Sequence, residues 1–248
     1  MEIGLFLSGA LVVAEKNVRI YYTKPPVFIF GLLFPLFLFI AFFMGRGLDL
    51  AVFYPGFLAM TLFFTASSVG PIITPWEKRD RTYERLLSYP LIVESIILGD
   101  ILAGAFFGLV ISLVIWAGSL LVFSLPLGNP VLVIAAFILG TAAFASLGTL
   151  LASPATDTPS TIMMLSTLVR LPMIFISGIF IPLANLGAAA KTLAFLSPLT
   201  YLVDLFQGAM NGASVIGPAI DIAVLLFWIL LFGAGSVYFQ RRNLVKGL

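Results

Sequence analysis

The stretch "WEKRDRTYERLLSYP", residues 76–90, holds seven charged side chains: Glu77, Lys78, Arg79, Asp80, Arg81, Glu84 and Arg85. The whole 248-residue chain has only 13 Lys and Arg and 11 Asp and Glu, and long runs on either side of this island have almost none. With 61% hydrophobic and 10% charged residues and a mean hydropathy of +1.15, the chain lies far from soluble domains, which carry about 25% charge. Uncharged runs of about 20 residues are long enough to cross a bilayer as helices. Barrel strands would alternate apolar and polar residues instead. Six spans are expected, at about 27–44, 52–74, 101–123, 131–152, 160–183 and 219–239, the fifth carrying Arg170. The chain is therefore read as one all-α integral membrane domain, 1–248, with no room for a soluble catalytic domain.

Cys and His are both absent, which removes thiolate and imidazole metal sites, disulfides and the usual nucleophile–base pairs. A net charge of +2 is too small to suggest nucleic acid. Met1-Glu2-Ile3-Gly4 lacks the basic start of a cleaved signal peptide. Basic residues favour the cytoplasmic side of a membrane. Placing the N-terminus there puts Lys16, Arg19, Lys24, Lys78, Arg79, Arg81, Arg85, Arg241, Arg242 and Lys246 inside, against Arg46 and Lys191 outside. Both termini and the island are then cytoplasmic.

Residues 3–22 are too polar to cross, with Glu15, Lys16 and Arg19 near their end, and read as a helix lying at the cytosolic interface. Tyr21 and Tyr22 sit at headgroup depth, and Pro25-Pro26 separates this 1–26 segment from the first span. Pro35 is expected to kink that span. In span two, Thr61, Thr65 and Ser68 share one helical face. They serve either interhelical hydrogen bonds or the lining of a polar-tolerant path. Gly104 and Gly108 in span three permit close helix approach, and Gly140, Ala145, Ser146, Gly148 and Thr149 make span four a packing helix. Thr158 and Pro159 read as the N-cap and first residue of span five. The outer segment 184–217 is too long and apolar for an ordinary loop. Leu199, Leu202, Val203, Phe206 and Met210 form one stripe, and Thr200, Asp204, Gln207 and Asn211 another face. Two short helices, divided at Asn185, Gly187, Ser197 and Pro198, either dip into the outer leaflet as a re-entrant hairpin or lie flat on it.

Within the island, Glu77 and Arg81 stand at i, i+4 in the favourable order. Tyr83, Leu86 and Leu87 give the same helix a greasy tip before Pro90 stops it. Such a tip suits a groove on a partner; a solvated loop is the plainer alternative.

"TYERLLSYP" (82–90) resembles the T-x-E-x-L-L-x-x-P stretch of the membrane subunits of type-2 ABC transporters. "SGIFIPL" (177–183) and "LSPLTYLVDLFQG" (196–208) resemble that family's second signature after span five. The likeness covers the whole chain, which is similar to the drug and lipooligosaccharide exporter subunits. Two departures are Arg81, where the family has Gly, and Gln207-Gly208, where many relatives carry a basic residue. The resemblance implies a permease without its own ATPase, and no G-x-x-x-x-G-K-[ST] loop occurs here. It implies a homodimer resting on separate cytosolic ATPase subunits, which bind ATP and Mg. It makes 76–92 a coupling helix loop, with Arg79, Asp80, Thr82, Tyr83, Glu84, Leu86, Leu87 and Pro90 as coupling residues. Spans two and five would line the substrate path through Thr61, Thr65, Ser68, Ser166, Arg170 and Ser177. Pro198, Thr200, Tyr201 and Asp204 would mark the outer re-entrant segment. No catalytic or metal-ligating residue is expected.

Arg170 lies about ten residues into span five, roughly 15 Å deep at 1.5 Å per residue. A charge there costs at least about 2.5–3.5 kcal/mol. Ser166, Met173 and Ser177 share its face. It serves either an internal ion pair or carbonyl contact, with Asp100 or Glu94 as ion-pair partners, or a negative head group on the path. The expected function is export of a hydrophobic or amphiphilic compound, drug-like or lipid, across the cytoplasmic membrane. The alternatives are a glycan or lipid-linked saccharide as cargo, an ATP-independent secondary transporter, and a lipid-modifying membrane enzyme.

Overall fold

The structure, a computed structural model, describes residues 2–21, 25–43, 50–89, 91–123, 128–154, 156 and 158–245. Tyr22, Lys24, Arg46, Pro90 and Lys246, which figure in the expectations above, lie outside the described residues. No strand occurs among the described residues. The helices are α1 (Glu2–Tyr21), α2 (Pro25–Phe28), a π-helical turn (Ile29–Leu33), α3 (Phe34–Phe43), α4 (Leu50–Ser68), α5 (Gly70–Arg79), α6 (Thr82–Ser88) and α7 (Val93–Phe123). They continue as α8 (Pro130–Leu151), α9 (Pro159–Ile176), a 3-10 turn (Leu183–Asn185), α10 (Ala188–Ala194), α11 (Pro198–Asn211) and α12 (Pro218–Val245). Among the described residues five helices are long and apolar enough to span, 51–79, 93–121, 130–151, 159–176 and 218–244. A sixth is reached if α10 and α11, bent by 101°, count as one. The expected first span is represented by α2, the π-helical turn and α3, with Gly31–Ala41 as a shorter apolar helix among the described residues.

α4 and α5 form the buried centre. Residues 54–75 are all buried, and α7, α8, α11 and the π-turn pack around them. Small residues bring these backbones together. A Cβ on Gly104 would stand 2.9 Å from the Ala66 carbonyl oxygen, and one on Gly108 2.7 Å from the Ala66 Cβ. The expected close approach of span three is therefore real, and α4 is its partner. Packing around this centre uses edge-to-face rings, Phe63 on Phe144 at 4.8 Å and Phe137 on Phe206 at 5.3 Å, a geometry the ring quadrupole favours.

Prolines set the irregularities. The π-turn ends just before Pro35, with the Phe34 N–H bonded to Ile29 O, five residues back. Such bulges are a recognised source of helix distortion. The rod of span two breaks at Val69 between α4 and α5. Pro71 follows and has no N–H to return to the carbonyl of Ser67, its i−4 partner. Asn129 caps α8 by accepting from the Val131 and Leu132 N–H groups. Thr158 has the extended backbone of a cap before Pro159, but its side chain makes no capping bond.

Two expectations are corrected. The island is not one helix, because Arg81 adopts the left-handed conformation (φ 56°) between α5 and α6, and no Glu77–Arg81 pair forms. Glu77 is buried and pairs with Lys16 of α1. Glycine would adopt this turn freely, whereas a side chain in that region costs about 1–2 kcal/mol. Arg81→Gly is therefore expected to raise stability by up to about 1 kcal/mol, read as a higher Tm of the purified protein. Secondly, the apolar stripe of 199–210 is covered by protein. Leu199, Leu202, Val203, Phe206 and Met210 are all buried in the cluster built on α4 and α8.

Candidate functional site

α6 is fixed to the bundle by the side chains expected to project from it. Tyr83 is turned inward, 5% exposed, and its hydroxyl donates to Gln240 Oε1 of α12 at 3.0 Å. Burial, then the nearby Asp100 and Glu77 carboxyls, hold the Tyr83 phenol above its ordinary pKa, so it stays a protonated donor. Leu86 and Leu87 are half-buried beside Val13, Ile96, Leu91 and Leu244. The greasy tip thus packs in part on its own chain. The outer surface is formed by Arg79, Asp80, Arg81, Thr82, Glu84, Arg85, Ser88 and Tyr89, all exposed. Arg79 donates to Asp80 at 3.1 Å and stacks toward Trp76. Thr82 Oγ1 donates to the Glu77 carbonyl at 3.3 Å.

Beneath the island a buried polar layer ties α1, α5 and α7 together. Asn17 donates to Asp100 Oδ1 at 2.6 Å, Thr74 donates to Asp100 Oδ2 at 3.3 Å, and Lys16 pairs with Glu77. Arg241 of α12 pairs with Glu94 at the start of α7. Sequence reasoning missed this layer, whose one signal is Asp100 standing in an apolar run. The layer also engages both proposed partners of Arg170, so neither Asp100 nor Glu94 serves it.

Arg170, 5% exposed, donates from Nη2 to the Ser67 carbonyl oxygen at 3.0 Å. That is the carbonyl Pro71 leaves without its helical donor. The arginine therefore closes the break in span two, and of the readings considered it is the carbonyl contact that is realised. It also lines a cleft with Ser68, Pro71, Ile72, Met163 and Thr167, with about 10 Å³ of room, roughly one water. Thr61, Thr65, Ser68, Ser166 and Ser177 are all buried. Thr65 donates back to the Thr61 carbonyl at 2.8 Å, Ser68 to Thr65 O at 3.3 Å and Ser177 to Ile174 O at 3.0 Å. Thr65, Ser68 and Ser177 thus serve their own helices, Thr61 Oγ1 and Ser166 Oγ are buried without a hydrogen-bond partner among the described residues, and of the five Ser68 lines the Arg170 cleft.

At the opposite end, Thr200 donates to Ala194 O at 2.6 Å and Tyr201 to Phe195 O at 2.9 Å, setting the bend before α11. Pro198 opens α11. Gln207 and Asn211 donate to the Val52 and Ala51 carbonyls at the start of α4. Asp204 is buried and holds the turn at 214–216.

Several apolar helices around a buried central rod, with a charged turn clamped to one end, define a multi-pass membrane protein. Residues 10–211 match the ABC-2 type transporter family, and the chain belongs to that family. Its members are membrane subunits that work with an ATPase subunit rather than enzymes themselves. The chain is similar to nodulation protein J of Rhizobium leguminosarum bv. viciae, 28% identical over 90% of this chain and 85% of that protein. It is equally similar to nodulation protein J of Neorhizobium galegae, 28% identical over 90% of this chain and 84% of the relative.

Proposed function

We propose that the chain is the permease subunit of an ATP-driven exporter in the cytoplasmic membrane, working as a homodimer on two separate ATPase subunits that bind ATP and Mg. The supporting observation is the island: an exposed polar surface, residues 79–85, held by Tyr83–Gln240 and Lys16–Glu77 to three different helices. A push on this surface reaches α1, α5 and α12 together, which is what coupling of ATP hydrolysis to movement of the spans requires. Both termini and the island face the cytoplasm. Residues 1–26 form the interfacial segment, 76–92 the coupling loop and 184–217 the outer re-entrant segment of one membrane domain. The exposed Leu5, Leu11 and Val12 of α1 meet lipid at the cytosolic interface, and the exposed flank of α9, Met164, Leu168 and Phe175, faces lipid or the second copy. Co-expression with the ATPase of the same gene neighbourhood tests the reading: a stable complex with ATP-dependent transport in vesicles is expected, and transport driven by an ion gradient alone would overturn it.

The cargo is a hydrophobic or amphiphilic compound, and Arg170 bears on whether its head group is negative. Arg170→Lys keeps a donor for Ser67 but loses the planar two-point geometry that suits carboxylate or phosphate. Arg170→Met strands the Ser67 carbonyl, a loss of about 1–3 kcal/mol. If the guanidinium also reads an anion, Lys retains stability yet lowers transport of an anionic amphiphile about tenfold, while a neutral compound still passes. Equal transport of both cargoes by Arg170→Lys would limit Arg170 to closing the helix break.

A further inference from the structure

We propose that a cleft at the island end of the bundle, where α8 and α12 end and α9 begins, holds an anionic phospholipid. Its phosphate sits on Arg242 and an acyl chain lies against Leu150, Leu165 and Phe239. The cleft has a volume of about 420 Å³, within the range of about 300–1,000 Å³ usual for small-molecule sites. It exists because its walls are held elsewhere. α9 packs mainly on α5 and α12 mainly on α8, so a gap is left between α9 and α12 over the end of α8. Leu165 of α9 and Phe239 of α12 both line the cleft and are both exposed, which leaves it open sideways, toward lipid. Gln240 accepts from Tyr83 and Arg241 pairs with Glu94, which fixes this end of α12 beside the island.

The polar groups at the rim explain the choice of ligand. Asn243 donates to the Ser153 carbonyl at 2.7 Å, and Ser153 Oγ donates to the Thr149 carbonyl at 2.9 Å. These bonds tie α12 to the end of α8 and build the floor. Arg242, in the last turn of α12, is exposed and lines the cleft. Unlike Arg241, it forms no ion pair among the described residues. Its planar guanidinium offers paired donors that match a phosphate. Three residues, about 4.5 Å of helix rise, separate it from Phe239, so the cation begins where the apolar wall stops. A greasy wall capped by an unpaired cation complements an amphiphile with a negative head, and a basic pocket between spans suits acidic lipid headgroups. A soluble anion would gain nothing from the wall, and a neutral lipid would leave the cation unused. Assignment of the lipid to the cytosolic leaflet rests on the proposed orientation of the chain; the site itself does not.

Native mass spectrometry of the purified full-length protein tests the site. The protein is delipidated and supplied with phosphatidylglycerol or phosphatidylcholine bearing the same chains. Neither ATPase nor transport is needed, so this inference and the exporter reading fail separately. Wild type is expected to retain phosphatidylglycerol about tenfold better, the scale of one charge-assisted hydrogen bond. Arg242→Gln is expected to erase that preference; the residue is exposed, so its replacement should leave folding intact. Arg85→Gln, which removes an equal charge from the island surface, is expected to keep the preference. Leu165→Trp, which fills the cleft, is expected to lower retention of both lipids, and excess inorganic phosphate to displace neither. Unchanged retention in Arg242→Gln would overturn the proposal. Equal loss of preference in both arginine variants would reduce it to diffuse surface charge, and displacement by phosphate would make the site one for a soluble anion. A Leu165→Trp protein that loses its dimer but not its lipid would give the cleft to the second copy instead.

Discussion

Glu84→Arg is expected to leave folding untouched and to lower ATP-driven transport at least about tenfold. Glu84 sits on the outer face of α6, exposed, in the first turn of the helix. Reversing an exposed charge seldom changes stability by more than about 0.5 kcal/mol, whereas at a docked surface it sets like charges together at a cost of several kcal/mol. The island's other side makes the contrast. Leu86→Asp would place a charge among Val13, Ile96 and Leu244, so any loss of transport there mixes misfolding with lost coupling. Comparing the two variants by Tm and by transport in vesicles containing the ATPase separates the roles. Full transport by Glu84→Arg at wild-type stability would remove the outer face from the coupling path.

Gly148→Ala is expected to lower stability by about 3 kcal/mol or more, the upper end of what overpacking costs. A Cβ at 148 would stand 2.6 Å from the Ser67 carbonyl oxygen and 3.1 Å from its Cα. One at 70 would meet the Gly148 carbonyl carbon at 2.6 Å. Backbone atoms have no rotamer to escape into, so the break in span two and α8 must separate, and the Arg170–Ser67 bond is disturbed with them. Gly233→Ala is the control, since nothing lies within 4 Å of a Cβ there. It is expected to hold or slightly raise the Tm, because Ala favours helix over Gly by about 1 kcal/mol. A Gly148→Ala protein with wild-type Tm would contradict the close approach on which this centre is built.

These two sites also show what sequence discloses. Scarcity of charge marks the spans, because a charge in lipid is costly enough to leave a pattern. The same scarcity made Arg170 and the island visible, and paired small residues announced a close approach by α7, though not that α4 is its partner. Partners distant in sequence were not legible. Nothing near Tyr83 points to Gln240, or near Glu77 to Lys16, since such bonds depend on how helices rotate about one another. The left-handed Arg81 was hidden behind a favourable i, i+4 pair, a weak force beside the burial of Glu77. The stripe on α11 was legible as apolar, but its packing against α4 and α8 was not. Lipid and protein interior are equally apolar, so a stripe alone does not say which of them covers it.

The central claim, that the outer face of the island is where an ATPase subunit docks, is most directly tested by disulfide crosslinking. The chain has no Cys, so single cysteines at Glu84, Arg85 and Tyr89 on the exposed face, and at Tyr83 on the buried one, can each be paired with cysteines around the cleft of the ATPase. Crosslinks from 84 and 85 that change in yield with ATP, and none from 83, are the result this account predicts. Crosslinks absent from all four positions in a complex that still hydrolyses ATP and transports would contradict it.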